Sequence, residues 1–283
     1  MARWGNRIGT SITADTVADG VERILLESTL TRLQGFPACC YLVGNLLIDS
    51  GFVKIARRLD EFLAGREIRA ILLTHHHEDH AGCCGMLAER HRCPVYLTAP
   101  ERRHEEGLER MALYRRIWWG RPHPYRPEPM PESVGSGRRQ LRCLPTPGHS
   151  ATHSAFFEAA GGVLFCGDLF ITGGVTAVMS HENPYQLVHS LRVLAGLEPR
   201  LMLNGHGAAF EQPARLLREK ADALEVAARR ALELHRLGLD TGAIVGKLFR
   251  NGGRWRDRFM ARFTAGEFSR ANFVRACIAH HRG

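Results

Sequence analysis

The sequence predicts an α/β fold closed by a helical C-terminal piece. Short apolar runs of strand length alternate twice with stretches of helical period before residue 212, and the pattern after Gln212 is helical. A further observation is local. The apolar run 68–73 has the length of a buried strand, and it delivers four histidines within residues 75–80.

Taken in order, residues 21–26 read as the first strand, and 27–37 as a polar loop. Two strands follow at 38–43 and 45–49, turned at Gly44-Asn45 and stopped by Ser50-Gly51. Across 52–63 the apolar residues Phe52, Ile55, Ala56, Leu59, Phe62 and Leu63 recur with a helical period. A helix over about 84–90 and a strand at 94–97 come next. Between 101 and 137 Arg, His, Trp, Tyr and Pro dominate, which reads as an insertion forming a surface flap or lid. Strands resume at 141–144, 154–158 and 163–166; a helix over 184–197 precedes a strand at 201–203. Helices over 214–237, 241–249 and 271–281 complete the chain, with Arg254, Arg256, Arg258 and Arg262 clustered among them. The expected division is a main domain of residues 1–212, with 101–137 as its flap, and a helical region of 213–283.

With 283 residues and 45% hydrophobic side chains, the chain can build a core without disulfides. It holds no run of about 18 apolar residues, so no membrane span is expected. The first residues lack the apolar segment of a secretory signal, and a cytoplasmic protein is expected. A net charge of +9 favours anionic partners, although solvated arginines account for it equally well. The eight cysteines show no paired CxxC spacing, so they read as small buried residues and not as structural zinc ligands.

The most informative stretch is Thr74-His75-His76-His77-Glu78-Asp79-His80-Ala81-Gly82. Imidazoles and carboxylates are the ligands that a borderline cation selects, and a loop leaving a buried strand can aim several at one point. The same residue types recur singly where later strands end: His149 in Pro147-Gly148-His149, Asp168 in Cys166-Gly167-Asp168, and His206 in Gly205-His206-Gly207. A lone histidine after Pro-Gly is usually a surface turn. Four such segments, each following a strand, point to a metal site.

In these residues the sequence resembles the metallo-β-lactamase-fold hydrolases. The spaced signature H-x-H-x-D-H stands as His75, His77, Asp79 and His80, and its later companions match His149, Asp168 and His206. The resemblance spans about residues 21–207 and includes Asp49-Ser50-Gly51. It implies a four-layer αββα sandwich with the active site at the edge between the sheets, followed here by the helical C-terminal extension. It also implies two divalent metal ions, zinc foremost, with iron or manganese as alternatives. His75, His77 and His149 would hold one ion, Asp79, His80 and His206 the other, and Asp168 would bridge them. His76 and Glu78 occupy the two "x" positions and are excluded as ligands, and Cys166 is assigned to packing. Paired dications would generate a bridging hydroxide near neutral pH and polarise the scissile bond, with Asp79 orienting the nucleophile or passing a proton to the leaving group.

The segment Phe165-Cys166-Gly167-Asp168-Leu169-Phe170 is similar to the strand end of glyoxalase II-like thioesterases. The chain departs from that branch at Ile171-Thr172-Gly173-Gly174-Val175 and at Gly205-His206-Gly207-Ala208. The resemblance therefore implies hydrolysis of an ester-like bond, thioester or lactone, in a small and anionic substrate. A phosphodiesterase or ribonuclease is the first alternative, since Tyr114, Trp118 and Trp119 beside Arg115 and Arg116 could stack on bases. An amphipathic helix that buries these aromatics is the preferred reading of that stretch, so nucleic acid is not the favoured partner. An iron persulfide dioxygenase, with one iron held by two His and one Asp, is the second alternative. The Trp118-Trp119 pair also raises a homodimer.

Overall fold

Side chains alternate between the two faces of a strand, and here the alternation sorts the apolar residues into two cores. The computed structural model describes residues 9–102, 111–249 and 261–281, with the backbone of 2–4 and residue 259 besides. The chain divides into two compact units. One comprises Met1–Pro145, Thr152–Ile171 and Pro199–Pro213; the other comprises Thr146–Ala151, Thr172–Glu198 and Ala214–Gly283.

The first unit contains two mixed sheets. One has eight strands in sequence order: β1 (Ala2–Trp4), β2 (Ser11–Ala18), β3 (Val21–Glu27), β4 (Ala38–Val43), β5 (Leu46–Ile48), β6 (Ala70–Leu72), β7 (Val95–Leu97) and β8 (Glu128–Pro129). Pairing is antiparallel as far as β5 and parallel from there to β8. Parallel neighbours need a crossover, and helices Ala56–Leu63 and Cys84–His91 supply the first two. The other sheet runs β15-β14-β12-β11-β10-β9. Its strands are β9 (Ser133–Ser136), β10 (Arg139–Pro145), β11 (Ser154–Glu158), β12 (Val163–Phe165), β14 (Leu201–Leu203) and β15 (Ala209–Glu211), while β13 (Val178–Met179) lies in the second unit.

Tyr41, Leu46, Ile48 and Leu72 of the first sheet meet Leu141, Phe156, Phe165 and Leu203 of the second in one core. Their neighbours Cys40, Leu47 and Ile71 point the other way, against Phe52, Ile55, Leu59, Leu63 and Leu87 of the helical layer. Helix, sheet and sheet thus follow one another as layers within this unit. The second unit holds helices Pro184–Ala195, Pro213–Arg236, Thr241–Leu248 and Arg270–Ala279, with β13 paired to β16 (Phe268–Ser269). Asn183 caps the first of these helices, accepting from the Tyr185 and Gln186 amides.

Three differences from the sequence expectation have physical causes. Strands β1 and β2 were not anticipated, because Thr13 and Asp15 on the less buried face of β2, and Thr16 next to them, interrupt its apolar signal. The expected loop over 27–37 contains a helix, Thr29–Gln34, closed by a Ser28/Thr31 capping box and by Gly35 at φ 66°. The 101–137 span is not simply a flap: 128–129 and 133–136 are sheet-edge strands. Within it, helix Leu113–Trp118 turns inward. Trp119 is buried, its ring centroid 5.4 Å from that of Phe52, and Trp118 packs on the same core. Trp118 and Trp119 thus pack against the core, in line with the amphipathic-helix reading of this stretch. Residues 103–110 and Arg254, Arg256 and Arg258 lie outside the described residues. No helix among the described residues is long and apolar enough to cross a membrane.

Candidate metal centre

The histidine-rich loop is held by the loop after β5. Asp49, fully buried at φ 59°, accepts from the Thr74 amide at 2.7 Å and from the Thr74 hydroxyl at 2.8 Å. Aspartate is among the few non-glycine residues that tolerate this left-handed backbone conformation. The Ser50 amide donates to the His80 carbonyl (2.7 Å), and the Gly82 amide to the Gly51 carbonyl (2.8 Å). A single helical turn, Glu78–Ala81, starts directly after His77 and places Asp79 and His80 along one short arc.

Six of the seven expected ligands belong to the first unit, and the structure brings them together. His75 Nε2 lies 3.0 Å from His77 Nδ1. His80 Nε2 is 3.6 Å from Asp79 Oδ2 and 3.4 Å from Asp168 Oδ1, while Asp168 Oδ2 is 3.1 Å from His206 Nε2. One donor atom each from His75, His80 and Asp168, and likewise from Asp79, His80 and His206, lie within 4.8 Å of one another. His149 is carried by the 146–151 segment of the second unit, with its Nδ1 3.5 Å from Glu182 Oε2. The two "x" residues are engaged elsewhere: His76 Nδ1 meets Thr152 Oγ1 at 2.9 Å, and Glu78 accepts from Arg115. Cys166 is fully buried, its thiol 3.9 Å from the Phe170 carbonyl.

Sequence reasoning assigned no role to the residues that aim these ligands. Asp49 Oδ2 sits 2.9 Å from His80 Nδ1, and the Pro37 carbonyl 2.7 Å from His206 Nδ1. Each partner accepts the Nδ1 proton and turns Nε2 inward, the usual way in which a neighbour sets the tautomer of a metal-facing imidazole. His153, fully buried, accepts the Asp168 amide proton at Nε2 (3.3 Å). A second histidine four residues after His149 was the visible signal for it. Asp49 stands in the Asp49-Ser50-Gly51 segment that the family resemblance covers, with no role assigned to it there. Nothing in sequence pointed to Pro37.

Burial disfavours charge on Asp168, yet His206 and His80 outweigh it and hold the carboxyl well below the usual range. Burial works equally against a charged His80, but Asp168, Asp79 and Asp49 together push its pKa well above the ordinary value, and His206 rises for a similar reason. Three carboxylates in a buried pocket call for positive charge. His80 Nε2 makes no well-formed hydrogen bond among the described residues, which leaves a buried polar atom costing about 1–3 kcal/mol. Imidazole nitrogens and carboxylate oxygens are the donor set of zinc and similar ions, so these residues fit a divalent cation. Asp49→Asn keeps the shape beside His80 and removes the charge. Metal affinity is expected to fall about 10–100-fold with the fold intact, read by titration of the metal-stripped chain against a competing chelator; unchanged affinity would show that Asp49 does not orient His80.

A family model described as the metallo-beta-lactamase superfamily matches residues 33–206. Among solved structures, a beta-lactamase domain protein from Burkholderia ambifaria superposes with a TM-score of 0.60 at 23% identity, covering 96% of this chain and 86% of that one. This likeness concerns the fold, an αββα sandwich with a helical C-terminal extension. A hydroxyacylglutathione hydrolase from Idiomarina loihiensis is 33% identical over 47% of this chain and 44% of its own length. An atrochrysone carboxyl ACP thioesterase from Aspergillus fumigatus is 27% identical over 64% of this chain and 54% of its own. The chain thus spans about half the length of these two enzymes.

Proposed function

Because this chain belongs to the metallo-beta-lactamase superfamily and carries its clustered His/Asp ligands as a metal-dependent hydrolase, we propose that it uses a dinuclear zinc centre to cleave a thioester in a small anionic substrate. The observation that carries the reading is the Asp168 carboxylate, whose two oxygens face His80 at 3.4 Å and His206 at 3.1 Å. A carboxylate so placed can be shared between neighbouring cations. His75 and His77, with His149 added from the sequence pattern, are proposed to hold one ion. Asp79, His80 and His206 are proposed to hold the other. Similarity to a hydroxyacylglutathione hydrolase and to an ACP thioesterase supports a thioester over a lactone.

Bound divalent cations supply an activated water and polarise the carbonyl under attack. The protein's share is orientation and charge. Asp49 and the Pro37 carbonyl hold protons on the Nδ1 atoms of His80 and His206, so both rings present Nε2. Burial around His75 and His80 keeps bulk water from screening the charges. Asp79 is assigned the proton: its carboxylate orients the attacking water, takes up its proton and yields it to the departing thiolate. Asp79→Asn, assayed at metal concentrations that keep both sites filled, should lower kcat by about 100-fold; full activity with both ions bound would remove that role. Eight cysteines outside any disulfide, seven of them buried and including two vicinal pairs, support a reducing compartment.

The test is a panel of acyl-thioesters, lactones and bis-p-nitrophenyl phosphate on metal-replete protein. Thioester kcat/KM is expected to exceed the others by at least about tenfold. Preferential phosphodiester cleavage that collapses steeply with salt would instead identify a nuclease. One iron per chain with oxygen uptake on persulfides would identify a dioxygenase.

A further inference from the structure

The arginine-rich stretch of the 101–137 span takes no part in the reading above, yet it grips the metal loop. Arg115, on helix Leu113–Trp118, is 4% exposed, and its Nε donates to Glu78 Oε2 at 3.1 Å. Its Nη2 converges on the same oxygen. Glu78 is itself buried, and it opens the single turn that carries the expected ligands Asp79 and His80 and directly follows His77. The grip continues along the segment. Lys54 Nζ donates to the Ile117 carbonyl, Trp119 packs on Phe52, and the His123 amide donates to the Gly82 carbonyl at 3.1 Å. Residues 115–123 therefore clasp both ends of the turn that runs from Glu78 to Gly82.

We infer that Arg115 is a positioning residue for the metal centre, fixing the orientation of the 77–80 turn through its buried pair with Glu78. The physical need is specific. A carboxylate between two ligands would, if unpaired, draw the turn toward water to solvate itself, and Asp79 and His80 would move with it. Metal–ligand distances lie within about 0.2 Å of their standard values, so the ligands must be held in place. Arginine suits the task because it stays charged when buried and donates several N–H groups from one rigid plane. This inference rests on the metal-centre reading given above.

The test separates positioning from mere stability. In Arg115→Met/Glu78→Gln both charges are gone, so no buried charge is left unpaired and the thermal midpoint stays near that of the wild type. Cobalt(II) titrated into the metal-stripped full chain is expected to bind about 10–100-fold more weakly in this variant, with an altered visible spectrum. Affinity within about threefold of the wild type and an identical spectrum would overturn the inference while leaving the metal centre standing. Should the double variant fail to fold, Arg115→Lys is read in the same titration. It keeps the charge but loses the converging contacts, so weaker binding with a shifted spectrum supports positioning and unchanged binding overturns it. Failure of the wild-type chain to bind cobalt would overturn the metal reading and the inference together.

Discussion

Gly205→Ala is expected to abolish activity, although it adds only one methyl group. A Cβ at this position would lie 2.5 Å from His80 Cε1 and 2.6 Å from Asp168 Oδ1, inside contact distance of two metal-facing side chains. Neither neighbour can yield cheaply. The His80 ring is fully buried and held at Nδ1 by Asp49, and Asp168 is held at its amide by His153 and at its carboxylate by His206. Relief requires shifts of several tenths of an ångström, larger than the roughly 0.2 Å within which metal–ligand distances are held. Overpacking of this kind costs about 1–3 kcal/mol of stability, which a chain of this size survives. The expected outcome is a folded protein with at most about 1% of wild-type kcat/KM and depleted metal, measured by steady-state kinetics and elemental analysis. A variant with wild-type metal content and near-normal turnover would show that Gly205 is not at the packed floor of the site.

Asp168→Ala is expected to have an effect at least as large, through charge and not space. Asp168 is the carboxylate that faces both His80 and His206, and its removal leaves two buried imidazoles with no charge between them. On the proposed assignment Asp168 is shared by both sites and its loss should weaken both, so turnover is expected to fall on the order of 10³-fold, about 4 kcal/mol in the barrier. In the metal-free chain the same change breaks buried charge pairs, a loss of about 3–5 kcal/mol. Its thermal midpoint should therefore drop more than that of Gly205→Ala when both are metal-stripped. Differential scanning calorimetry separates the two mechanisms: equal midpoints would contradict the charge argument.

The metal loop was legible in sequence because its donors are adjacent along the chain and follow an apolar run of buried-strand length, found as β6. Asp168 and His206 were legible more faintly, as acidic and imidazole residues flanked by glycine where strands end. The glycines have a spatial reason, since Gly167 at φ 49° would press a Cβ within 2.7 Å of His153 Nε2, and Gly205 faces His80. Asp49, Pro37 and Arg115 stayed hidden as contributors. They act through another side chain, and their distance along the sequence (31 residues from Asp49 to His80, 37 from Glu78 to Arg115, 169 from Pro37 to His206) holds no trace of closeness in space. The fold shows the same division. Strands 38–43, 154–158 and 201–203 coincide with expectation because both of their faces are largely buried and read as apolar runs. Helix Thr29–Gln34 and the edge strands β8 and β9 escaped notice, being short and determined by a cap or by a neighbouring strand.

The central claim is that these scattered His and Asp side chains hold cations. Elemental analysis of the metal-replete wild-type chain, beside Asp168→Ala prepared identically, tests it most directly. The account predicts about two divalent ions per wild-type chain and fewer than about one in the variant. A wild-type chain that takes up no zinc, iron or manganese at saturating concentration, or a variant that retains both ions, would contradict it.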